Sequence, residues 1–275
     1  MIIISDQPGQ LANLLFVYAN FVAYGIENKV FIYNPAFYKH KEDFILKKSS
    51  LPVTKLIYEF CGRITKRLFI LGINNKIIGV KKIQPEEFTD LENIQIFKPS
   101  LFYFVSGWPY RTNRLVLKHQ DRIRSFFRPK PVYQKQVNEF FKAKFQDQDE
   151  LIIGVHIRRG DYKEFLNGLY YYEFTEYEKV MDQMVRLFSG RSIRFLICSN
   201  DTLNHSTFQN KNLKITFGPN HQILDLYCLS KCDFILGPPS TYSMWASFYG
   251  QVPLYKLTDM NKQVTSSDFQ VQRDL

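Results

Sequence analysis

The chain has 275 residues, with 36 Lys and Arg against 26 Asp and Glu, a net charge of +10 at pH 7 and a pI near 9.3. At roughly 150 residues per domain this is one large domain or two small ones. Its 45% hydrophobic and 23% charged residues exclude wholesale disorder, a collagen-like repeat and a disulfide scaffold. The basic excess fits an anionic partner, whether nucleic acid, a phosphorylated substrate or an acidic membrane face, and does not choose among them. Cys61, Cys198, Cys228 and Cys232 form no CxxC pair and sit in apolar surroundings, so buried free thiols in a reducing compartment are expected.

The start, Met1-Ile2-Ile3-Ile4-Ser5-Asp6, lacks a basic flank and reads as a first strand rather than a secretory signal. A Gly loop at Gly9 and apolar residues at 3.6 spacing predict a helix from residue 11 to about 25. A second strand follows at 30–33, then an irregular stretch from 35 to 95 with one helix at 55–71. A strand at 101–105 and helices at 111–127 and 132–145 precede the polar run 146–150, which marks a break between an N-terminal α/β domain, 1–148, and a C-terminal domain, 149–275. The longest apolar stretches, 14–26 and 68–80, are interrupted and fall short of the ~20 residues of a spanning helix, so no membrane span is expected.

Beyond the break the pattern is regular. Strands at 151–157, 193–198, 214–217, 233–236 and 252–255 alternate with helices at 174–188, 223–230 and 242–249, which predicts a parallel sheet covered on both faces. Ligands of open parallel sheets bind beyond the carboxyl ends of the strands, so the polar residues after each strand are the candidates.

The strongest is Gly154-Val155-His156-Ile157-Arg158-Arg159-Gly160-Asp161-Tyr162, a buried strand running into two arginines and an aspartate. Guanidinium groups match phosphate bidentately and stay protonated, so Arg158 and Arg159 suit a diphosphate leaving group; an ion network between elements is the competing reading. Asp161 could orient an arginine or accept a proton. His156, between Val155 and Ile157, reads equally as a core histidine or a ligand contact. Ser199-Asn200-Asp201 follows the next strand and could meet a ligand or cap a turn. Gly237-Pro238-Pro239-Ser240-Thr241 precedes a helix whose N-terminus could hold phosphate or carry an ordinary Ser/Thr cap.

These segments carry a family resemblance. His156-Ile157-Arg158-Arg159-Gly160-Asp161-Tyr162 matches in full the HxRRGDY motif of the alpha-1,2-fucosyltransferases and their relatives, glycosyltransferase family 11, which the chain resembles. Gly9-Gln10-Leu11-Ala12-Asn13-Leu14-Leu15-Phe16-Val17-Tyr18-Ala19, Ser199-Asn200-Asp201, and Asp225-Leu226 with Cys232 and Pro239 to Trp245 are similar to three further family segments in the same order. Ala12, Leu14, Val17, Pro239 and Met244 depart from the family pattern, each removing a polar or shape-defining group.

The resemblance implies a GT-B-like α/β fold of two Rossmann-like halves, an acceptor-side N-terminal domain and a nucleotide-sugar-binding C-terminal one. It implies inverting transfer of fucose from GDP-fucose to a glycan hydroxyl, in alpha-1,2 linkage, with no metal. By the same resemblance Arg158 and Arg159 hold the diphosphate, His156 and Asp201 meet the guanine, Ser240 and Thr241 lie near the phosphates, and Gly9 and Asn13 face the cleft. Arg158 and Asp161 are the catalytic candidates. A different nucleotide-sugar donor, or a non-catalytic nucleotide- or glycan-binding protein, are the alternatives.

Asp147-Gln148-Asp149 fits a metal-binding DxD pattern but precedes a strand and reads as linker. The five histidines have no zinc spacing with the cysteines, and no Walker loop or GxGxxG fingerprint is present. The basic, aromatic segments 37–48 and 122–133 could serve nucleic acid, an acidic membrane face, or packed aromatics under snorkelling lysines. Packed aromatics are expected, with no nucleic-acid partner. A cytoplasmic bacterial enzyme is expected, peripheral contact with the inner membrane face remaining open, acting on a lipid-linked or free acceptor in polysaccharide or oligosaccharide synthesis.

Overall fold

The computed structural model describes residues 1–46, 51–83, 89–92, 100–147, 149–210 and 212–275. The chain divides into two compact units, Met1–Lys130 together with Arg273–Leu275, and Pro131–Gln272.

In the first unit β1 (Ile2–Ile4), β2 (Ile32–Tyr33), β3 (Ile78–Lys82) and β5 (Phe102–Ser106) form a parallel sheet in the order β2-β1-β5-β3. A small parallel pair joins β4 (Thr89–Asp90) to β6 (Tyr110–Arg111). The sheet centre, β1, is three consecutive isoleucines buried on both faces, as a covered parallel strand requires. Helix α1 (Leu11–Asn28) is buried from Leu11 to Gly25 except at half-buried Asn13, so it is an interior helix rather than an amphipathic surface one.

That helix runs past the expected end at Gly25. Gly25 serves close packing rather than termination, since the Ile32 side chain and the Val30 carbonyl occupy the space a Cβ would need, and left-handed Lys29 closes the helix by donating its N–H to the Gly25 oxygen. Asn20, fully buried in α1, donates to the Phe16 and Leu275 main-chain oxygens (2.9 Å each) and accepts from the Thr112 N–H (2.6 Å), leaving no polar group idle.

Helix α2 (Lys55–Ile70) matches its expected span to within a residue. The single helix expected over 111–127 is two, α3 (Asn113–Lys118) and α4 (Gln120–Phe126), broken at His119, where His119 and Lys118 both meet Glu27 at 2.7 Å. The aromatics of the basic segments are core: Phe37, Phe44 and Phe127 are buried and pack edge to face or tilted, with Lys130 paired to Glu42 outside them. Residues 47 and 48 of those segments, and Gln148 of the DxD pattern, lie outside the described residues.

In the second unit a six-stranded sheet runs β12-β11-β10-β7-β8-β9. Its strands are β7 (Leu151–Ile157), β8 (Ile193–Ser199), β9 (Ile215–Phe217), β10 (Phe234–Gly237), β11 (Pro253–Lys256) and β12 (Gln270–Val271). All neighbours are parallel except β12, which returns antiparallel on β11 and departs from the all-parallel expectation. Helices α5 (Pro131–Lys144), α6 (Phe174–Leu187), α7 (Gln222–Leu229) and α8 (Thr241–Gly250) complete the unit.

The division of the chain falls before α5 rather than at the polar run. Helix α5 belongs with α7: Tyr133 stacks obliquely on His221 (5.7 Å) and Lys231 lies over Phe141 (5.7 Å). All four cysteines are free and buried, and burial pushes the Cys228 thiol up to about 12. Among the described residues no helix is long and apolar enough to cross a membrane.

Candidate functional site

Strand β7 ends at Ile157, buried on both faces, and delivers Arg158 to the carboxyl edge of the sheet. The chain there turns into a short 3-10 helix, Gly160–Lys163, which swings Asp161 back onto Arg158. Arg158 donates from Nε (2.8 Å) and Nη2 (2.6 Å) to the two oxygens of Asp161, the fork geometry of a bidentate pair. The Arg158 side chain is 13% exposed and that of Asp161 53%, so the arginine is held in place while its partner faces solvent. The Arg158 hydrogen bond keeps the Asp161 carboxyl below the usual aspartate range. The Nη1 edge of Arg158 makes no hydrogen bond among the described residues and is available to an anion.

Arg159 is committed elsewhere. Its Nη1 donates to the Tyr172 carbonyl (2.9 Å) and Glu173 (2.8 Å), its Nη2 to the Tyr171 hydroxyl, and its Nε lies 3.4 Å from Asp201. Its guanidinium sits against the rings of Tyr171 (4.5 Å) and Phe174 (4.3 Å). Burial works against its charge, but Glu173, Tyr171 and Asp201 together leave it above the ordinary arginine range. Glu173 is also the N-cap of α6, in a capping box with Glu176, so Arg159 ties that helix to the strand edge. The Asn200 side chain accepts the Arg159 N–H (3.1 Å), which makes the Ser199-Asn200-Asp201 turn a clamp on the same loop.

The last strand-edge group is buried. His156 is neutral: burial and then the Arg158 charge push its imidazole down to about 3. Its ring lies 5.0 Å from that of Tyr242, and its Nδ1 has no hydrogen-bond partner among the described residues. Gly237 on β10 makes this arrangement possible, since a Cβ there would come within 2.7 Å of the His156 carbonyl oxygen.

At the carboxyl ends of β8 and β9 a cavity of about 140 Å³ is lined by Asp201, Leu203, Phe217, Asn220 and Asp225 among others. A cavity of ~150 Å³ is known to take a benzene ring, so there is room for one six-membered aromatic ring. Asp225 projects from α7 into this lining with Oδ1 buried and unpartnered. Burial raises its carboxyl to about 7, against the pull of the Asn220 and His221 backbone N–H groups. A larger cavity, about 390 Å³, lies against α6 at Gln183, Arg186 and Val264, and no strand-end residue lines it.

The structure thus gathers His156, Arg158, Arg159, Asp161 and Asp201 at one sheet edge. Ser240 caps α8, its Oγ accepting the Tyr242 N–H at 3.3 Å, and the Tyr162 hydroxyl donates to the adjacent Pro239 carbonyl (2.7 Å); Thr241 opens the helix. Gly9 and Asn13 belong to the first unit, Gly9 in the left-handed region (φ 67°) and Asn13 in the first turn of α1. Asp225, Tyr242 and Glu173 were not singled out from the sequence as site residues. A carboxylate inside the otherwise apolar run Ile223-Leu224-Asp225-Leu226-Tyr227 was the available signal for the first. Among the described residues no group of three or more His, Cys, Asp or Glu side chains could hold a metal ion.

Two parallel α/β units, one ending in a charged strand edge, are the architecture of GT-B-type glycosyltransferases. Similar solved structures include an Arabidopsis thaliana FUT1 mutant in complex with GDP, with TM-score 0.66 and 10% identity over 98% of this chain and 73% of that one. Fucosyltransferase NodZ from Bradyrhizobium has TM-score 0.54 and 13% identity over 93% of this chain and 94% of its own. POFUT1 in complex with GDP has TM-score 0.53 and 12% identity over 92% and 96%. At such identities the likeness is one of fold, with two Rossmann-like halves. No curated protein matches the chain in sequence. The family model for glycosyl transferase family 11 matches residues 75–271, and the chain belongs to that family. It is a glycosyltransferase.

Proposed function

We propose that the protein transfers fucose from GDP-fucose to a hydroxyl of a glycan acceptor, lipid-linked or free, with inversion and in alpha-1,2 linkage. The observation that carries this reading is the Arg158–Asp161 pair at the end of β7, an arginine fixed on one edge with its other edge open. The acceptor oxygen forms a bond to the anomeric carbon as the bond from that carbon to the diphosphate breaks. GDP departs with the new negative charge stabilised by Arg158, and the hydroxyl proton passes to a base. Bound to Arg158, Asp161 is a poor proton acceptor, and its part is to position the arginine, leaving the base outside this strand-edge group.

Guanine presents N1–H and N2–H donors on one edge, and the unpartnered Oδ1 of Asp225 in a ring-sized cavity suits them. Asp201 borders the same space from the end of β8, and Ser240 and Thr241 offer the start of α8 to the phosphates, with His156 on the adjoining strand as the further guanine contact of this reading. Arg159 supports the reading indirectly, by fixing the loop that carries Arg158. The GDP bound in the FUT1 and POFUT1 structures and the GDP-fucose soaked into NodZ are consistent with this donor class.

The test is calorimetric titration of the full chain with GDP and GDP-fucose in EDTA, with UDP, CDP and ADP alongside, followed by an acceptor screen. Binding confined to guanine nucleotides, then fucose transfer to a glycan, is expected. Tighter binding of another base, or GDP binding without fucose transfer to any acceptor, rejects the proposal.

A further inference from the structure

We infer that α2 and the turn leading from it into β3 form a surface that rests on an anionic lipid bilayer. One face of α2 belongs to the core: Cys61 packs with Ile57, Ile64 and Leu68 against Ile3, Tyr33 and Phe104. Along the opposite face Leu56, Phe60, Arg63, Arg67 and Ile70 recur at i, i+4, i+7, i+11 and i+14, one continuous stripe. All five are exposed, Leu56 to 75% and Ile70 to 70%.

The stripe continues past the helix. Leu71 is exposed, the chain turns at left-handed Gly72, and Ile77 emerges exposed before β3. Leu101 and Phe102, also exposed, donate their N–H groups to the Lys76 (3.2 Å) and Ile77 (2.9 Å) carbonyls and so lie beside the same turn. This is a contiguous apolar tip, not scattered surface residues. It lies at the amino edge of the first unit's sheet, while Gly9 and Asn13 follow the carboxyl end of β1 at the other edge.

Charge selects the occupant. Arg63, Lys66, Arg67 and Lys76 are exposed and none makes an ion pair among the described residues, while Glu59, the one acid of α2, is already taken by Lys55 (3.7 Å). Protein–protein interfaces enrich Arg but deplete Lys, and this surface carries exposed Lys66 and Lys76 beside its arginines. Here the cations stand within the apolar stripe itself. That pattern suits a headgroup layer, where long basic side chains reach phosphates while the apolar groups between them enter the acyl boundary.

Sedimentation of the full chain with vesicles tests this, using phosphatidylcholine alone and phosphatidylcholine with a third replaced by phosphatidylglycerol. Binding should require the anionic lipid and weaken with salt. Arg63→Gln with Arg67→Gln should lower the partition about 25-fold, at roughly fivefold per cation, and Phe60→Glu with Ile70→Glu at least as much. Neither pair should alter the unfolding midpoint or GDP binding, which separates this result from the fate of the donor proposal. Absent binding, equal binding to both vesicles, or variants that bind like the parent overturn the inference. So does a dimer by size-exclusion chromatography that the Phe60→Glu, Ile70→Glu chain loses.

Discussion

Replacing Asp225 by Asn should stabilise the protein while weakening its hold on GDP. Asp225 is 6% exposed, and burial raises its carboxyl from 3.8 to about 7. At about 1.4 kcal/mol per tenfold, holding the ionised form in the fold costs about 4 kcal/mol above pH 7. Asn carries no charge and avoids that cost, but its amide brings N–H donors to a position where the carboxylate oxygen has no partner, which returns about 1–3 kcal/mol. A net gain of about 1–3 kcal/mol at pH 8.5 follows.

The sign depends on pH. Below about pH 4 both side chains are neutral and the charge cost vanishes; it grows as pH rises from 4 to 7 and is constant above. Urea unfolding of both proteins at pH 4.5 and 8.5 measures it, since every other titrating group is shared and cancels. GDP titration completes the assay: the wild type should bind more tightly as pH rises through about 7, and the variant should lose at least about tenfold without that pH dependence. A stability difference that does not change between the two pH values would refute the account of Asp225 as a carboxylate desolvated for a ligand.

Arg158→Ala should reduce transfer by about 100- to 1000-fold with the unfolding midpoint unchanged, and Arg158→Lys should recover little, because an ammonium cannot span two phosphate oxygens; steady-state kinetics and urea unfolding check both. Arg159→Ala should act on the fold, costing about 1–2 kcal/mol as the Tyr172 carbonyl loses its donor and Tyr171 and Phe174 lose the guanidinium packed on them. Arg159→Lys should fail to restore it, as measured by urea unfolding beside GDP affinity. His156 is held neutral down to about 3, so the native state loses stability as pH falls below the ordinary histidine value of 6.5. His156→Phe should remove about 2–3 kcal/mol of that loss between pH 6.5 and 4.5.

Much of the second unit was legible because its strands are unbroken apolar runs. Leu151–Ile157 ends where the charge begins, and that junction is the site edge. The first unit was harder: β3 contains Gly79 and two lysines, and β4 and β6 have two residues each, too short for a period to register. The strand β12 depends on pairing with β11, which local sequence does not encode. Arg158 and Arg159 are adjacent and chemically identical in the sequence. Their separation into one arginine with an open edge and one wholly engaged rests on Tyr171, Tyr172, Glu173 and Asp201, distant along the chain. Asp225 was quoted only as part of a motif, since its exceptional feature, an oxygen buried without a partner, exists only after folding.

The contact between Asn20 and Leu275 orders events during synthesis. Residues 273–275 complete the first unit, and the whole second unit, Pro131–Gln272, is translated between Lys130 and them. At about 5–20 residues per second a nascent first unit waits on the order of ten seconds for the Leu275 carbonyl, its Asn20 amide holding only Phe16 and Thr112, while the second unit is contiguous and folds as it emerges. The later unit is therefore synthesised in full before the earlier one can be closed.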